Sequence, residues 1–242
     1  MIPNPWDAGS ARVFQALSFQ ALATTSSGFA YTLGRGDGNV TLEDVVEHVA
    51  KLDEATVLPV SVDLENGYGD DGESAAAAVR AVAAAGAVGA SIEDWSGDRI
   101  YERAHAVERV VAAVEAARSL PFPFVLTARS ENHLRGNPDL DDTIARLRAF
   151  EEVGADVLYA PGLRTADEIR AVCDAVTKPV NVLARPTLTL QEIVGAGAQR
   201  ISVGGALTWT AVGAFVDAAT AIRDLGDFSK LGSSPPREWL ET

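Results

Sequence analysis

Short apolar segments alternate with longer amphipathic segments along most of the chain. The apolar segments have the length of typical strands, and the segments between them carry apolar residues at helical spacing. The predicted strands are Phe19–Thr25, Leu58–Asp63, Val88–Glu93, Phe124–Ala128, Ala155–Ala160, Pro179–Leu183 and Arg200–Val203. The predicted helices are Ala8–Leu17, Thr41–Glu54, Glu73–Ala85, Tyr101–Ser119, Leu140–Val153, Ala166–Val176, Leu190–Ala196 and Ala206–Leu225. Alternating strands and helices predict a parallel sheet, and near-continuous apolar strands predict that both of its faces are covered.

One joint between helix and strand recurs three times. Gly86, Gly154 and Gly197 each stand between the end of a helical pattern and an alanine that leads into the next strand. Glycine is the preferred residue just after a helix, and its reuse predicts an α/β fold of the (β/α)8 TIM-barrel type. The eighth strand would have to come from Met1-Ile2-Pro3 at the start of the chain.

The pattern predicts a single barrel domain over residues 1–225 and a C-terminal tail over residues 226–242. The tail is rich in Pro, Ser and Gly and contains Trp239-Leu240. It is predicted to be either a mobile segment or an arm that docks on a neighbouring subunit.

Composition narrows the possible partners. The net charge of −14 argues against nucleic-acid binding through a basic face, but a local cation and a few arginines would still admit an anionic substrate. No apolar segment is long enough to span a membrane, and the sequence does not open with a secretory signal. The single cysteine, Cys173, cannot form an internal disulfide, and a cytoplasmic location is expected.

The strongest candidate for chemistry follows the strand that ends at Val62. Asp63 and Glu65 stand two residues apart, and Asn66 separates them from Gly67-Tyr68-Gly69. Alternate strand residues point to the same side, so the two carboxylates would repel each other without a cation between them. Oxygen ligands of this kind suit Mg²⁺, at the end of a barrel where active sites lie. The plainer alternative is that both residues only cap the strand end.

Polar residues follow the other predicted strands as well, and a barrel would bring them to one rim. They are Asp7, Thr24-Thr25-Ser26-Ser27-Gly28 with Asp37 further along, Glu93-Asp94, and Arg129-Ser130-Glu131.

With these motifs in order, the chain resembles the isocitrate lyase/phosphoenolpyruvate mutase superfamily over nearly its whole length. The resemblance rests on the motifs Pro3-Asn4-Pro5-Trp6-Asp7-Ala8-Gly9-Ser10-Ala11, Thr25-Ser26-Ser27-Gly28, Gly34-Arg35-Gly36-Asp37, Val62-Asp63-Leu64-Glu65-Asn66-Gly67-Tyr68-Gly69, Ser91-Ile92-Glu93-Asp94 and Thr127-Ala128-Arg129-Ser130-Glu131. It implies a modified (β/α)8 barrel that assembles as a dimer or tetramer, with a C-terminal helix swapped between subunits. It also implies Mg²⁺, or Mn²⁺ in its place, and a small α-keto or α-hydroxy carboxylate as substrate.

The resemblance also implies residue roles. Asp63 would ligate the metal directly, while Glu65, Asp37 and Glu93 would hold metal-bound waters. Glu65 stands where the family commonly has Asp, so direct ligation by its longer side chain is an alternative. Ser26, Ser27 and Gly28 would bind the substrate carboxylate, Arg129 would bind the same carboxylate or the enolate oxygen, and Trp6 and Asp7 would complete the substrate-binding set. The residues assigned to catalysis are Arg129, Glu93 and Asp37.

The chain departs from the family in the loop after Glu93-Asp94. That loop reads Trp95-Ser96-Gly97-Asp98-Arg99-Ile100-Tyr101 and contains neither the Cys and His of the C–C lyases nor the Lys and Asn of the mutases. Cys173 lies on the predicted helix Ala166–Val176 and cannot replace the missing cysteine. Three hypotheses follow: a lyase or decarboxylase acting through an enolate-like species, a phosphonomutase or phosphonate hydrolase, and a non-catalytic barrel that binds carboxylates.

Several candidates have structural alternatives. Arg129 could serve only as an internal ion-pair partner of Glu93 or Glu131, and Ser26-Ser27-Gly28 could be an ordinary turn. His133 could act as an acid or base near the rim, although a solvated loop is the plainer interpretation. His48 and His105 lie in helical patterns and are predicted to be surface residues. Arg185 could bind a distal substrate carboxylate or merely anchor its loop.

Overall fold

The computed structural model describes residues 1–232, 234 and 236–239. Its strands are all parallel and neighbour one another in chain order. They are β1 (Leu22–Ala23), β2 (Val60–Asp63), β3 (Gly89–Glu93), β4 (Val125–Arg129), β5 (Val157–Tyr159), β6 (Val180–Leu183) and β7 (Arg200–Ser202). The helices are α1 (Ala8–Ala16), α2 (Ser26–Thr32), α3 (Leu42–Ala55), α4 (Gly72–Ala84), α5 (Arg103–Arg118), α6 (Leu140–Glu152), α7 (Ala166–Ala175), α8 (Leu190–Gly195) and α9 (Ala206–Leu225).

The start of the chain fills the gap between the first and last strands. Ile2 forms a parallel bridge with Ser202 of β7, and its amide donates to the carbonyl oxygen of Ile201 at 2.8 Å. On the other side, the amide of Ala23 in β1 donates to the carbonyl oxygen of Pro3 at 3.0 Å. The seven strands and this segment form a nearly closed barrel, which confirms the predicted fold class.

The hydrophobic core lies between the strands and the surrounding helices. Two large clusters of buried apolar side chains cover the two halves of the ring, as expected for strands that are apolar on their helix-facing side. The predicted glycine joints are also present, since Gly86, Gly154 and Gly197 all have φ near +100°. At Gly86 a Cβ would lie 2.4 Å from Cγ of Asp53, so both the left-handed backbone and the close approach of α3 require glycine there.

The structure differs from the sequence prediction mainly around β1. The predicted strand Phe19–Thr25 shrinks to Leu22–Ala23, because Phe19 still donates its amide to Phe14 at the end of α1. Helix α2 was not predicted, since its Ser-Ser-Gly start favours a turn. Thr25 caps this helix, accepting a hydrogen bond from the amide of Gly28.

The barrel ends with α9, whose C-cap Gly226 has a left-handed conformation. In the described part of the tail, the 3-10 turn Arg237–Trp239 lies against α1 of the same chain. Leu240 lies outside the described residues. The division into a barrel domain and a tail remains a prediction. None of the described helices combines the length and the apolarity needed to cross a membrane.

Candidate active site

Three adjacent strands place charged side chains at the same end of the barrel. Asp63, Glu93 and Arg129 are the last residues of β2, β3 and β4. The register pairs Glu93 with Arg129 directly and Asp63 with Ser91, whose hydroxyl lies 3.3 Å from Oδ1 of Asp63. The strand ends therefore gather the acids and the arginine that the sequence predicted at this rim.

Arg129 lies at the centre of the cluster and is mostly buried. Its Nε lies 2.5 Å from Oε1 of the fully buried Glu131 and 3.4 Å from Oε2 of Glu93, and its Nη1 lies 3.5 Å from Oδ1 of Asp63. Burial alone would lower the pKa of Arg129, but the three carboxylates outweigh that effect and raise its pKa. Arg129 thus forms the ion pairs with Glu93 and Glu131 that the sequence suggested. Whether it serves only in them stays open, because Arg129 also lines the cavities described below.

Negative charge exceeds positive charge in this cluster. Besides Arg129, the only other arginine in contact with its acids within the described residues is Arg135, whose Nε lies 2.9 Å from Oε2 of Glu131. Burial raises the pKa of Glu93 well above its ordinary value, and the charges of Glu131 and Asp63 add to the rise, against the opposing effect of Arg129. A bound cation would relieve this repulsion.

Glu65 shows most directly where a cation would fit. Burial raises the pKa of Glu65 to about 7, and the charges of Asp63 and Asp37 add to the increase. Its Oε1 atom is buried and has no hydrogen-bond partner in the described structure. A buried carboxylate oxygen without a donor is costly, and a hard divalent cation is a natural partner for it.

The carboxylates at the rim are not close enough together for several of them to ligate one metal ion directly. No group of three or more His, Cys, Asp or Glu side chains among residues 1–232, 234 and 236–239 is arranged to hold one ion. An ion at Asp63 would therefore need water between it and most of the other acids. That arrangement, with one direct ligand, is the one that the family resemblance implies.

The first turn of α2 lies beside Asp63. The backbone amide of Ser26 lies 3.5 Å from Oδ2 of Asp63, and the Ser27 hydroxyl lies 3.2 Å from that of Thr25. A side chain on Gly28 would come within 2.6 Å of Oγ1 of Thr208, which explains the glycine. The predicted Ser-Ser-Gly segment is thus at the rim, within a helix rather than a free turn.

Two neighbouring cavities lie at this end of the barrel. The larger, about 1010 Å³, is lined in part by residues of the loops that follow β2 and β3, among them Glu65, Tyr68 and Trp95. The smaller, about 190 Å³, lies in the barrel mouth and is lined by Asp63. The cavities share Ser26, Asp37 and Arg129.

The loops around the larger cavity are fixed by specific contacts. Arg109 of α5 is fully buried and donates to the carbonyl oxygens of Asn66, Gly69 and Asp71. This holds the segment after β2 that carries Glu65. The loop after β3 is closed by an antiparallel bridge between Trp95 and Ile100, and the guanidinium of Arg135 lies 4.5 Å from the centre of the Trp95 ring.

Trp6 and Asp7 are not brought to the cavities that Arg129 lines. Asp7 caps α1, where its Oδ1 accepts a hydrogen bond from the amide of Ser10 at 2.7 Å. Both residues line a separate cavity of about 470 Å³ between α1, α2 and α3. Their assignment to the substrate remains a prediction that the geometry does not support.

His48 lines that separate cavity, and its prediction as a surface residue was wrong. It is only 5% exposed and stacks on Phe29 with ring centres 4.0 Å apart. It occupies the apolar face of α3 together with Val45, Val49 and Leu52.

The burial of His48 predicts acid sensitivity. Burial lowers the pKa of His48 to about 4, below its ordinary 6.5, against the opposing effect of Asp7. The folded protein therefore binds fewer protons at this site than the unfolded chain, and stability falls as the pH drops from about 6.5 to about 4, by up to about 3 kcal/mol. The variant His48→Phe is expected to remove this part of the slope in urea unfolding measured across that pH range. His105→Phe, at a more exposed position on α5, is the control, and an unchanged slope in His48→Phe would contradict the assignment.

The remaining candidates lie away from the rim. His133 packs against Gly162 and lines neither active-site cavity. Cys173 is half-buried on α7, and burial raises the pKa of its thiol to about 11. Arg185 also lines neither cavity, whereas Arg200, which sequence reasoning overlooked, lines the barrel mouth. The signal that the sequence offered for Arg200 was a charged residue at the first position of a predicted strand.

Comparisons with known proteins agree with these features. The family model for phosphoenolpyruvate phosphomutase matches residues 1–223. An oxaloacetate decarboxylase from Bradyrhizobium sp. (strain ORS 278) is 30% identical over 228 residues, which cover 90% of this chain and 78% of that protein. The crystal structure of a protein from Burkholderia cenocepacia J2315, provisionally named a lyase/mutase, superposes with a TM-score of 0.95 at 53% identity, covering 98% of this chain and 88% of that chain. Oxaloacetate acetylhydrolase bound to its product oxalate superposes with a TM-score of 0.88 at 26% identity, covering 99% and 87%.

Proposed function

Because the chain belongs to the phosphoenolpyruvate mutase/isocitrate lyase superfamily, we propose that it is a Mg²⁺-dependent enzyme that cleaves or decarboxylates a small α-keto or α-hydroxy carboxylate through an enolate-like species. The observation that carries the proposal is the excess of buried carboxylates around Arg129, with the unpartnered Oε1 of Glu65 beside them. Asp63 would hold the ion directly, and Glu65 and Glu93 would hold it through water. When bound, Mg²⁺ or Mn²⁺ supplies positive charge next to the oxygen on which negative charge develops.

Side chains of this protein would bind the substrate and stabilise the charge that develops on it. Ser26 and Ser27 present hydroxyl groups and backbone amides to a substrate carboxylate at the start of α2. Arg129 presents a guanidinium that its three acidic neighbours hold in place, so it needs little reorganisation as charge develops on the substrate. Asp37 lies on an exposed loop over both cavities and would close the site from above.

The residues that line the two cavities favour a reaction that does not need a side chain of the protein as proton donor. Neither cavity is lined by a His or Cys within the described residues. Decarboxylation needs an electron sink and a proton that solvent can deliver, and hydrolytic cleavage uses water as the nucleophile. Both reactions suit this site better than a C–C cleavage that depends on a cysteine loop, and they agree with the similarity to an oxaloacetate decarboxylase.

The proposal is tested by turnover and by metal-dependent binding. The purified protein would be incubated with oxaloacetate or 2-methylisocitrate, with Mg²⁺ or with EDTA, and products would be followed by ¹³C NMR. Calorimetric titration with oxalate, a planar analogue of an enolate, is expected to show binding with Mg²⁺ that EDTA abolishes. Binding that is indifferent to EDTA would contradict the metal site, and metal-dependent binding without turnover of any acid would favour a carboxylate-binding barrel.

Phosphonate chemistry is the second candidate, because the matching family model is that of phosphoenolpyruvate phosphomutase. It would use the same metal and the same arginine on a C–P bond. Incubation with phosphonopyruvate, followed by ³¹P NMR, distinguishes it from the first candidate. Phosphonate turnover without keto-acid turnover would replace the first proposal.

We further propose that the chain forms a homo-oligomer through α9. Of the twenty residues of this helix only Thr208 and Ala221 are buried, while Trp209 is 48% exposed and Phe215 is 65% exposed. Apolar surface of this extent usually marks an interface, and a swapped C-terminal helix is what the family resemblance implies. Sedimentation velocity is expected to show a dimer or tetramer, and Phe215→Glu is expected to shift it toward monomer. A monomeric wild-type protein would contradict the proposal.

A further inference from the structure

Within the described residues, Arg200 is a partly buried cation without an acidic partner inside the barrel. It opens β7, and its Nη1 donates to Oγ1 of Thr127 at 3.1 Å. Thr127 lies on β4, three strands away around the ring, so the guanidinium reaches across the barrel interior rather than out to the helices. Within the described structure no carboxylate lies at ion-pair distance from Arg200, and its Nε is buried without a hydrogen-bond partner.

The neighbours of Arg200 do not neutralise its charge. The register places Arg200 beside Asn181, Asn181 beside Tyr159, and Tyr159 beside Arg129, which forms a polar row inside the barrel. Burial raises the pKa of Tyr159 to about 12, so its hydroxyl is neutral at pH 7. Burial lowers the pKa of Arg200, and only the tyrosine opposes that effect.

A charge that is partly withdrawn from water normally has an ionic partner, because its desolvation is costly. Arg200 faces the cavity of about 190 Å³ that Asp63 and Arg129 also line. Asn181 adds a second unsatisfied group to this cavity, since its Oδ1 is buried and unpartnered within residues 1–232, 234 and 236–239. The barrel mouth is therefore rich in acids at the rim and carries an uncompensated cation deeper inside.

We propose that Arg200 binds a second anionic group of the substrate and so selects small keto acids that carry a distal carboxylate or phosphonate. The keto-acid end of such a substrate would lie at the Asp63 rim and the distal anion would point into the barrel toward Arg200. This inference rests on the proposed function, because the rim must hold the keto-acid end. It assigns a specificity role to a residue other than Arg129, whose guanidinium is already engaged by three carboxylates.

The experiment compares ligands with and without the distal anion by calorimetry in the presence of Mg²⁺. Oxalate occupies only the rim, 3,3-difluorooxaloacetate adds a distal carboxylate, and sulfopyruvate adds a distal tetrahedral anion. In Arg200→Met, which keeps the length of the side chain but not its charge, both longer ligands are expected to bind at least tenfold more weakly, and oxalate is expected to change less than threefold. The relative loss for the two longer ligands shows whether the cavity suits a planar or a tetrahedral group.

The melting temperatures of Arg200 variants distinguish a role in substrate binding from a structural role. Removing a partly buried charge that has no ionic partner is expected to leave the melting temperature of Arg200→Met equal to or above that of the wild type. Arg200→Lys, which keeps the charge, is expected to retain part of the preference for the longer ligands, and Arg148→Met, outside the barrel on α6, is expected to change neither binding nor preference. Equal weakening of all three ligands, or a lower melting temperature with unchanged preference, would overturn the inference. Absence of metal-dependent oxalate binding in the wild type would instead overturn the proposed function.

Discussion

Replacing Arg129 with methionine is expected to abolish turnover and to lower the free energy of unfolding by about 3–5 kcal/mol, because removing one partner of a buried ion pair leaves uncompensated buried charge. Arg129 is the group that Glu131, Glu93 and Asp63 share. Glu131 is completely buried, and among the described residues it keeps only Arg135 as an ion-pair partner in the variant. Urea unfolding at pH 7 measures the stability, and product release from the best substrate of the screen measures the turnover.

Two further variants test whether the loss of stability comes from the unpaired acids around Arg129. One removes a surface arginine, and the other also removes one of the acidic charges. Arg80→Met breaks an exposed pair with Glu73 and is expected to cost at most about 1 kcal/mol. Adding Glu131→Gln to Arg129→Met removes one of the stranded charges and is expected to recover part of the lost stability without restoring turnover. A loss below 1 kcal/mol in Arg129→Met would show that water or a rearranged Arg135 already compensates these acids.

The barrel could be predicted because its signals are local and repeated. Apolar strand segments, amphipathic helices and glycine joints at Gly86, Gly154 and Gly197 each depend on a few neighbouring residues. Element ends depend on tertiary contacts, which is why Phe19–Thr25 became the short β1. Helix α2 escaped prediction because the same Thr-Ser-Ser-Gly residues serve equally well as a turn and as a capped first helical turn.

Site residues could be predicted when their position at a strand end was enough to bring them together. They could not be predicted when the direction of the side chain decided whether it reaches the cavities. Asp63, Glu93 and Arg129 end adjacent strands, so the topology alone brings them together. Asp7 also follows a barrel strand, but its carboxylate turns away from the cavities to cap α1. Arg200 begins its strand, and only the register of the closed barrel shows that it points inward.

The burial of His48 could have been predicted from the sequence. His48 stands three residues after Val45 and four before Leu52, which is the spacing of one helix face. That pattern places it among buried apolar residues, as the structure shows. Asp94 was grouped with Glu93 among the residues expected at the rim, but it lines neither active-site cavity. Asp94 accepts a hydrogen bond from the amide of Glu131 and one from Arg146.

Replacing Asp63 with asparagine is expected to remove the metal response of the site. The change preserves shape while deleting the charge that would hold the ion directly, so oxalate affinity in the presence of Mg²⁺ is expected to fall at least about 100-fold, or about 2.7 kcal/mol. In EDTA neither the wild type nor the variant is expected to bind oxalate measurably, so the difference between Mg²⁺ and EDTA should largely disappear in the variant. Stability is expected to change little, because the loss of the 3.5 Å contact with Arg129 is offset by relief of the repulsion from Glu65 and Glu93.

Asp71→Asn is the matched control for Asp63→Asn. Asp71 caps α4 through the amide of Ser74 and lines neither active-site cavity. Asparagine caps a helix about as well as aspartate, so this variant is expected to bind oxalate with Mg²⁺ as the wild type does. If Asp63→Asn still bound oxalate more tightly with Mg²⁺ than with EDTA, the ion would have to be held by Glu65, Glu93 or Asp37 instead. Loss of binding in Asp63→Asn alone would place the ion at the end of β2, where it could act on the same substrate oxygen as Arg129.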